Sequence, residues 1–89
     1  TPILRAKRAG LKRNACVALG NKGDTVAVPA LRQTLLVGEA LVRGHAAWAL
    51  GRIGGTDAWE ALNQAQDNEG DEGVLGEIGQ ALTGFNQSN

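Results

Sequence analysis

The chain has 89 residues, enough for one small domain, and its 43% apolar content is sufficient for a core. Aromatic residues are confined to Trp48, Trp59 and Phe85, with no Tyr and no Met, so Ala, Leu and Val must build that core, which favours closely spaced helices over a sandwich or barrel. Net charge is zero, Cys16 is the single cysteine, and no apolar run is long enough to cross a bilayer, which excludes an intrachain disulfide, a cysteine-built metal site and a membrane span.

In chain order, Thr1-Pro2 reads as an N-cap with proline in the first turn, opening a short helix over 3–9 that Gly10 breaks. A second helix is expected over 11–22, ended by Gly23 in a left-handed conformation. Asp24 then caps a helix over 25–36, where Pro29 is near enough to the start that its missing N–H costs little. The stretch VRGHAAWALGRIGG lies in a helix over 40–53, ended by Gly54, and Thr56 caps a helix over 57–66. The run DNEGDEG, with Asp67, Glu69, Asp71 and Glu72, reads as a solvated, turn-forming linker before a last helix over 72–84. Its spacing does not match a calcium loop, whose final ligand is a glutamate at the twelfth position. No secretory signal is visible, so a cytoplasmic setting is expected.

The chain repeats itself. LKRNACVALGNKGD at 11–24 lies over VRGHAAWALGRIGG at 42–55 with an offset of 31, AVPALRQ lies over AWEALNQ, and a diverged third copy starts at Val74. The first helices carry Leu11, Asn14, Ala15, Ala18, Leu19 and Lys22; then Val42, His45, Ala46, Ala49, Leu50 and Ile53; then Val74, Glu77, Ile78, Ala81, Leu82 and Phe85, each set spaced as one helical face. This pattern predicts an all-α fold, an α-α superhelix of about two and a half helical hairpins. Its parts are a basic lead-in helix at 1–10, repeat 1 at 11–37, repeat 2 at 38–68, and a partial repeat 3 with a polar tail at 69–89. Glycine inside a helix costs roughly 1 kcal/mol relative to alanine. The recurrence of Gly20 and Gly51 after Ala-Leu therefore points to close packing, expected between the two helices of one unit. Trp48 is off the main stripe and is expected to fill space between neighbouring helices, and Cys16, among Ala15, Val17 and Ala18, to be a small buried hydrophobe.

The stretches TPILRAKRAGLKRNACVALGN, AVPAL and LVRGHAAWALGRIGG carry a resemblance. They are similar to HEAT-like repeats, also found in phycobilin lyases, and more specifically to the C-terminal part of the epoxyqueuosine reductase family, over roughly residues 1 to 83. The resemblance implies a parent oxidoreductase acting on tRNA in queuosine synthesis, using cobalamin and two four-iron four-sulfur clusters. It implies that this part helps hold the anticodon stem-loop, next to an upstream catalytic domain of the same chain; a monomer is expected. The family's cluster-binding cysteine runs are absent here, so no cofactor, metal or catalytic residue is assigned to this stretch.

The residues themselves permit such a role. Positions 1 to 23 carry Arg5, Lys7, Arg8, Lys12, Arg13 and Lys22 with no acid, a charge of +6, and positions 56 to 89 carry −7 with no base. Charge segregated in this way suggests that one end meets an anion. The expected RNA contacts are Arg5, Lys7, Arg8, Lys12, Arg13, Arg43 (the repeat equivalent of Lys12) and His45, reading backbone and shape. His45 aligns with Asn14 and Glu77, so a row of polar groups hydrogen-bonded within the helix layer is the alternative reading of that position. Two other functions compete: a protein-interaction scaffold, and a chromophore chaperone, which would need a reactive cysteine or an exposed apolar groove.

Overall fold

The structure is a computed structural model and describes residues 2–86, with side chains from 8 to 85. Thr1, the side chains of Arg5 and Lys7, and the end of the polar tail lie outside the described residues. Five helices follow in order: α1 (Pro2–Lys22), α2 (Val28–Val37), α3 (Ala40–Ile53), α4 (Thr56–Asn68) and α5 (Glu72–Asn86), with a 3-10 turn at Thr25–Ala27 leading into α2. They form an all-α stack in two layers. Helices α1, α3 and α5 make the first layer, side by side, and α2 and α4 make the second. Helix α3 touches every other helix.

The expected break at Gly10 does not occur, and α1 is one helix of 21 residues. A single glycine costs only about 1 kcal/mol, which the flanking helix formers offset. By the repeat offset, Ala40, the first residue of α3, corresponds to Ala9, so residues 2–8 of α1 precede the level at which α3 begins. That overhang is ~10 Å long at the helical rise.

The turns follow the chemistry expected of them, with one exception. Gly23 and Gly54 have φ of 73° and 74°, and their N–H groups close the preceding helices onto Leu19 O and Leu50 O at 3.1 and 2.9 Å. Asp24 caps the next turn, its Oδ1 accepting from Val26 N at 2.9 Å. Thr56, by contrast, is already the first residue of α4, and Gly55 occupies the cap with φ 91°.

The two helix-interior glycines account for how the first layer packs. A Cβ on Gly20 would lie 2.7 Å from Trp48 Cζ3 and 3.0 Å from Ala49 Cα, and one on Gly51 would lie 2.8 Å from Ala81 Cβ and 3.1 Å from Ala81 Cα. Both glycines therefore admit the first helix of the next unit, not the partner helix of their own unit as expected. Trp48 fills the space left over Gly20. The core behind these contacts is small-residue and aliphatic: Ala46, Ala47, Ala49, Leu50, Ala58, Leu62 and Ile78 are fully buried, and Cys16 is buried with them.

The face read from the sequence is buried in α3 by Val42, Ala46, Ala49 and Leu50 and in α5 by Val74 and Ile78. In α1 the matching residues Leu11, Asn14, Ala15, Ala18 and Lys22 are exposed, and Ala9, Cys16 and Gly20 face α3 instead. The same pattern thus serves an interior contact in two units and an open flank in the first.

Gly51→Ala is expected to destabilise the protein by about 1–3 kcal/mol, because the added methyl meets backbone. Gly76→Ala, mid-helix in α5 with nothing within 4 Å of the added carbon, is expected to stabilise it by up to about 1 kcal/mol. Urea unfolding of the two variants checks the opposite signs.

Candidate nucleic-acid interface

Because α1 is unbroken, positions 5, 8 and 12 stand three and four apart on one continuous helix. Arg8 and Lys12 are exposed one turn from each other, and Lys22 is exposed in the last turn. Arg13 sits about 100° around the helix from Lys12. It is half-buried, on the side that carries Val17, and its Nη2 is 3.4 Å from Asn14 Oδ1. Arg8 and Lys12 therefore occupy one flank of α1 and Arg13 another.

Arg43 is placed differently from its repeat equivalent Lys12. Its Nε and Nη2 donate to Glu69 Oε1 and Oε2 at 2.8 and 2.9 Å, and its Nη1 donates to Gly38 O at 2.7 Å. One guanidinium thus ties the loop before α3 to the loop before α5, and this takes Arg43 out of the row of available cations. A bidentate, charge-assisted pair of this kind is among the stronger polar contacts in proteins. Glu69 also accepts from Asp71 N at 2.9 Å, and its side chain is only 7% exposed. The hydrogen bonds from Arg43, followed by those from the backbone, hold its carboxyl below the usual carboxylate range.

The acidic run is therefore not a plain solvated linker. Asp67 and Glu72 are exposed, but Glu69 is a buried clamp, and Asp71 caps α5 by accepting from Val74 N at 3.0 Å. Among the described residues, Lys12 is not clamped in this way. Gly38-Glu39 corresponds to Gly70-Asp71 at an offset of 32, which puts Val37 where Glu69 stands. Val37 is exposed, and Lys12 has no acid to meet at that place.

His45 donates from Nδ1 to Leu41 O at 2.9 Å, since a carbonyl can only accept. This bond matches the reading of a polar row within the helix layer. The imidazole lines a groove of about 490 Å³ with Val17, Leu41, Trp48, Asp71 and Glu77. Beyond it, Arg52 lies over the Trp48 ring, 5.7 Å from its centroid, a cation–π contact that the repeat pattern did not signal. Burial pushes the Cys16 thiol up, away from the thiolate a reactive cysteine needs. Among the described residues, no three His, Cys, Asp or Glu side chains are grouped to hold a metal ion, and no helix is long and apolar enough to cross a membrane.

Comparison with known proteins gives a consistent set of relatives. The HEAT repeats family matches residues 1–83. Epoxyqueuosine reductase of Bacillus cereus is 41% identical over 73 residues, covering 81% of this chain and 19% of that protein. The Listeria monocytogenes epoxyqueuosine reductase is 42% identical over 69 residues, covering 76% and 18%. A crystal structure of selenomethionine-labelled epoxyqueuosine reductase superposes with a TM-score of 0.77 at 35% identity, covering 82% of this chain and 20% of that one. The chain thus spans about a fifth of the length of these relatives.

The clamp gives stability a pH dependence of definite sign. The folded Glu69 carboxyl titrates below its unfolded value of about 4.3, so its contribution is complete above that pH and is lost as pH falls through the lower, folded value. Glu69→Gln is expected to cost about 2 kcal/mol at pH 7. It should also flatten the loss of stability below pH ~4. Thermal melts of both proteins from pH 7 to 3 check this.

Proposed function

Given that this chain belongs to the family of HEAT repeats, we propose that it is the C-terminal repeat domain of an epoxyqueuosine reductase and docks the anticodon stem-loop of a tRNA through phosphate and shape contacts. The observation that carries this reading is the difference between Lys12 and Arg43. The same position is neutralised by a buried acid in the second unit and left exposed in the first, beside Arg8 on an unbroken helix. A surface cation without a partner costs nothing to redirect to a phosphate, whereas Arg43 would have to abandon Glu69 first.

Arg5, Lys7, Arg8, Lys12 and Arg13 supply the phosphate track in this proposal. The two flanks held by Arg8 with Lys12 and by Arg13 suit the two edges of an RNA groove better than a single strand. His45, at the margin of the groove that Trp48 lines, uses Nδ1–H on Leu41 O, so its other ring nitrogen can accept from a ribose hydroxyl but not bind a phosphate oxygen. The carboxylates of Asp71 and Glu77 beside it repel phosphate and help confine the backbone to α1. Chemistry on the RNA belongs, in this reading, to an upstream catalytic domain of the longer protein, with cobalamin and two iron–sulfur clusters. The residues here do not fit a cluster: Cys16 is the one cysteine, and it is buried.

About five phosphate contacts imply a log–log salt slope on the order of −3 to −5 for stem-loop binding. Reversing three of them, in Arg8→Glu, Lys12→Glu and Arg13→Glu together, is expected to abolish binding at low salt and leave the circular dichroism melt nearly unchanged. Fluorescence anisotropy with an anticodon stem-loop measures the first. Undiminished binding by the reversed protein would remove the proposal, and recovery of a stoichiometric protein partner without RNA would favour a protein-interaction scaffold.

A further inference from the structure

Internal repetition permits a test that a single helix would not: a face of α1 can be compared with the same face of α3 one unit later. Leu11, Ala15, Ala18 and Lys22 correspond to Val42, Ala46, Ala49 and Ile53. Leu11 is 71% exposed where Val42 is 1%, and Ala15 and Ala18 are exposed where Ala46 and Ala49 are fully buried. The four residues are spaced four, three and four apart, one stripe on the side of α1 away from α3. In α3 this stripe is the side on which Gly20 of α1 rests, over Ala49, and in α5 the matching Ala81 receives Gly51. Ala18 is the first member of this series and has no described glycine above it.

We infer that the outer face of α1 is an unfilled position of the same lattice, covered by a helix from a preceding part of the same polypeptide, parallel to α1, with a glycine or alanine over Ala18. The inference is independent of RNA binding and rests on the part of the proposed function that makes this chain one domain of a longer protein. Four considerations choose this occupant over a separate molecule. The relatives are about four times as long as this chain, so there is sequence elsewhere in such proteins to supply the helix. The stripe is one helix face, well short of the ~800 Å² per partner that a stable interface between separate chains buries. A covalent tether supplies an effective concentration of order millimolar, which makes so small a contact sufficient. Finally, α1 overhangs the stack by residues 2–8, so its backbone already extends past the level of α3. Arg8 and Lys12 lie beside the stripe, not in its middle, so covering Leu11, Ala15 and Ala18 leaves both at the rim for a polyanion.

The experiment uses the full-length gene product, treated with nuclease to remove RNA. Ala15→Cys and Ala18→Cys are nearly isosteric changes, and Glu60→Cys, at an exposed position of α4, is the reference. Each is labelled with a maleimide under native conditions, quantified by peptide mass spectrometry and normalised to its rate in denaturant. The expected result is labelling at positions 15 and 18 at least about tenfold slower than at position 60, independent of protein concentration, as for amides shielded by a local contact that must open first. Rates within about twofold of the reference would overturn the inference. Protection that disappears on dilution together with a dimer in light scattering would overturn it too, by making a second copy the occupant. Because no RNA is present, failure of the RNA proposal leaves this result unaffected.

Discussion

Helix-to-helix spacing in the first layer is limited by two missing methyl groups. Gly20 and Gly51 let α1 meet α3 and α3 meet α5 backbone against side chain, at Ala49 and Ala81. That spacing suits a core of Ala, Leu and Val with few large aromatics, and the composition follows from it: a bulkier residue at either place would part the layer and leave the alanines short of contact. A core of small side chains buries less apolar area per residue, so each helix is held weakly by any one neighbour. Helix α3, buried on every side that matters, is where those weak contacts add up.

A second, polar tie supplements the packing. Arg43 joins Gly38 O to the carboxylate of Glu69, and Glu69 in turn holds Asp71 N–H, whose own side chain caps α5. The loops before α3 and α5 are therefore fixed to one another by a single guanidinium. Lys12 stands in the place of Arg43 and Val37 in that of Glu69, so Lys12 stays exposed while Arg43 is neutralised. The charge asymmetry along the chain thus has two origins: composition, and the pairing of Arg43.

Much of the fold was legible because repetition supplies its own alignment. Helix positions, the left-handed turns at Gly23 and Gly54, the Asp24 cap and the burial of Cys16 follow from residues whose local chemistry decides the outcome. What was not legible depends on which neighbour a residue meets. Gly10 looked like a break because its cost is local, whereas the continuity of α1 comes from the turns on both sides. Gly20 and Gly51 were recognised as contact sites but assigned to the wrong helix pair, since periodicity gives a face and not the identity of what covers it. Glu69 sat in an acidic run that reads as solvated, and its partner is 26 residues away in sequence. Comparing Val37 with Glu69 across the repeat, with Lys12 against Arg43, is the signal that would have found it.

The central physical claim is that α3 is the element on which the others depend. Hydrogen exchange resolved by residue tests it most directly. If the glycine contacts and the clamp act as described, the amides of α3 from Ala46 to Leu50 exchange only through global unfolding, and protection declines outward toward the first turns of α1. Exchange in α3 as fast as in the overhanging part of α1 would contradict the account.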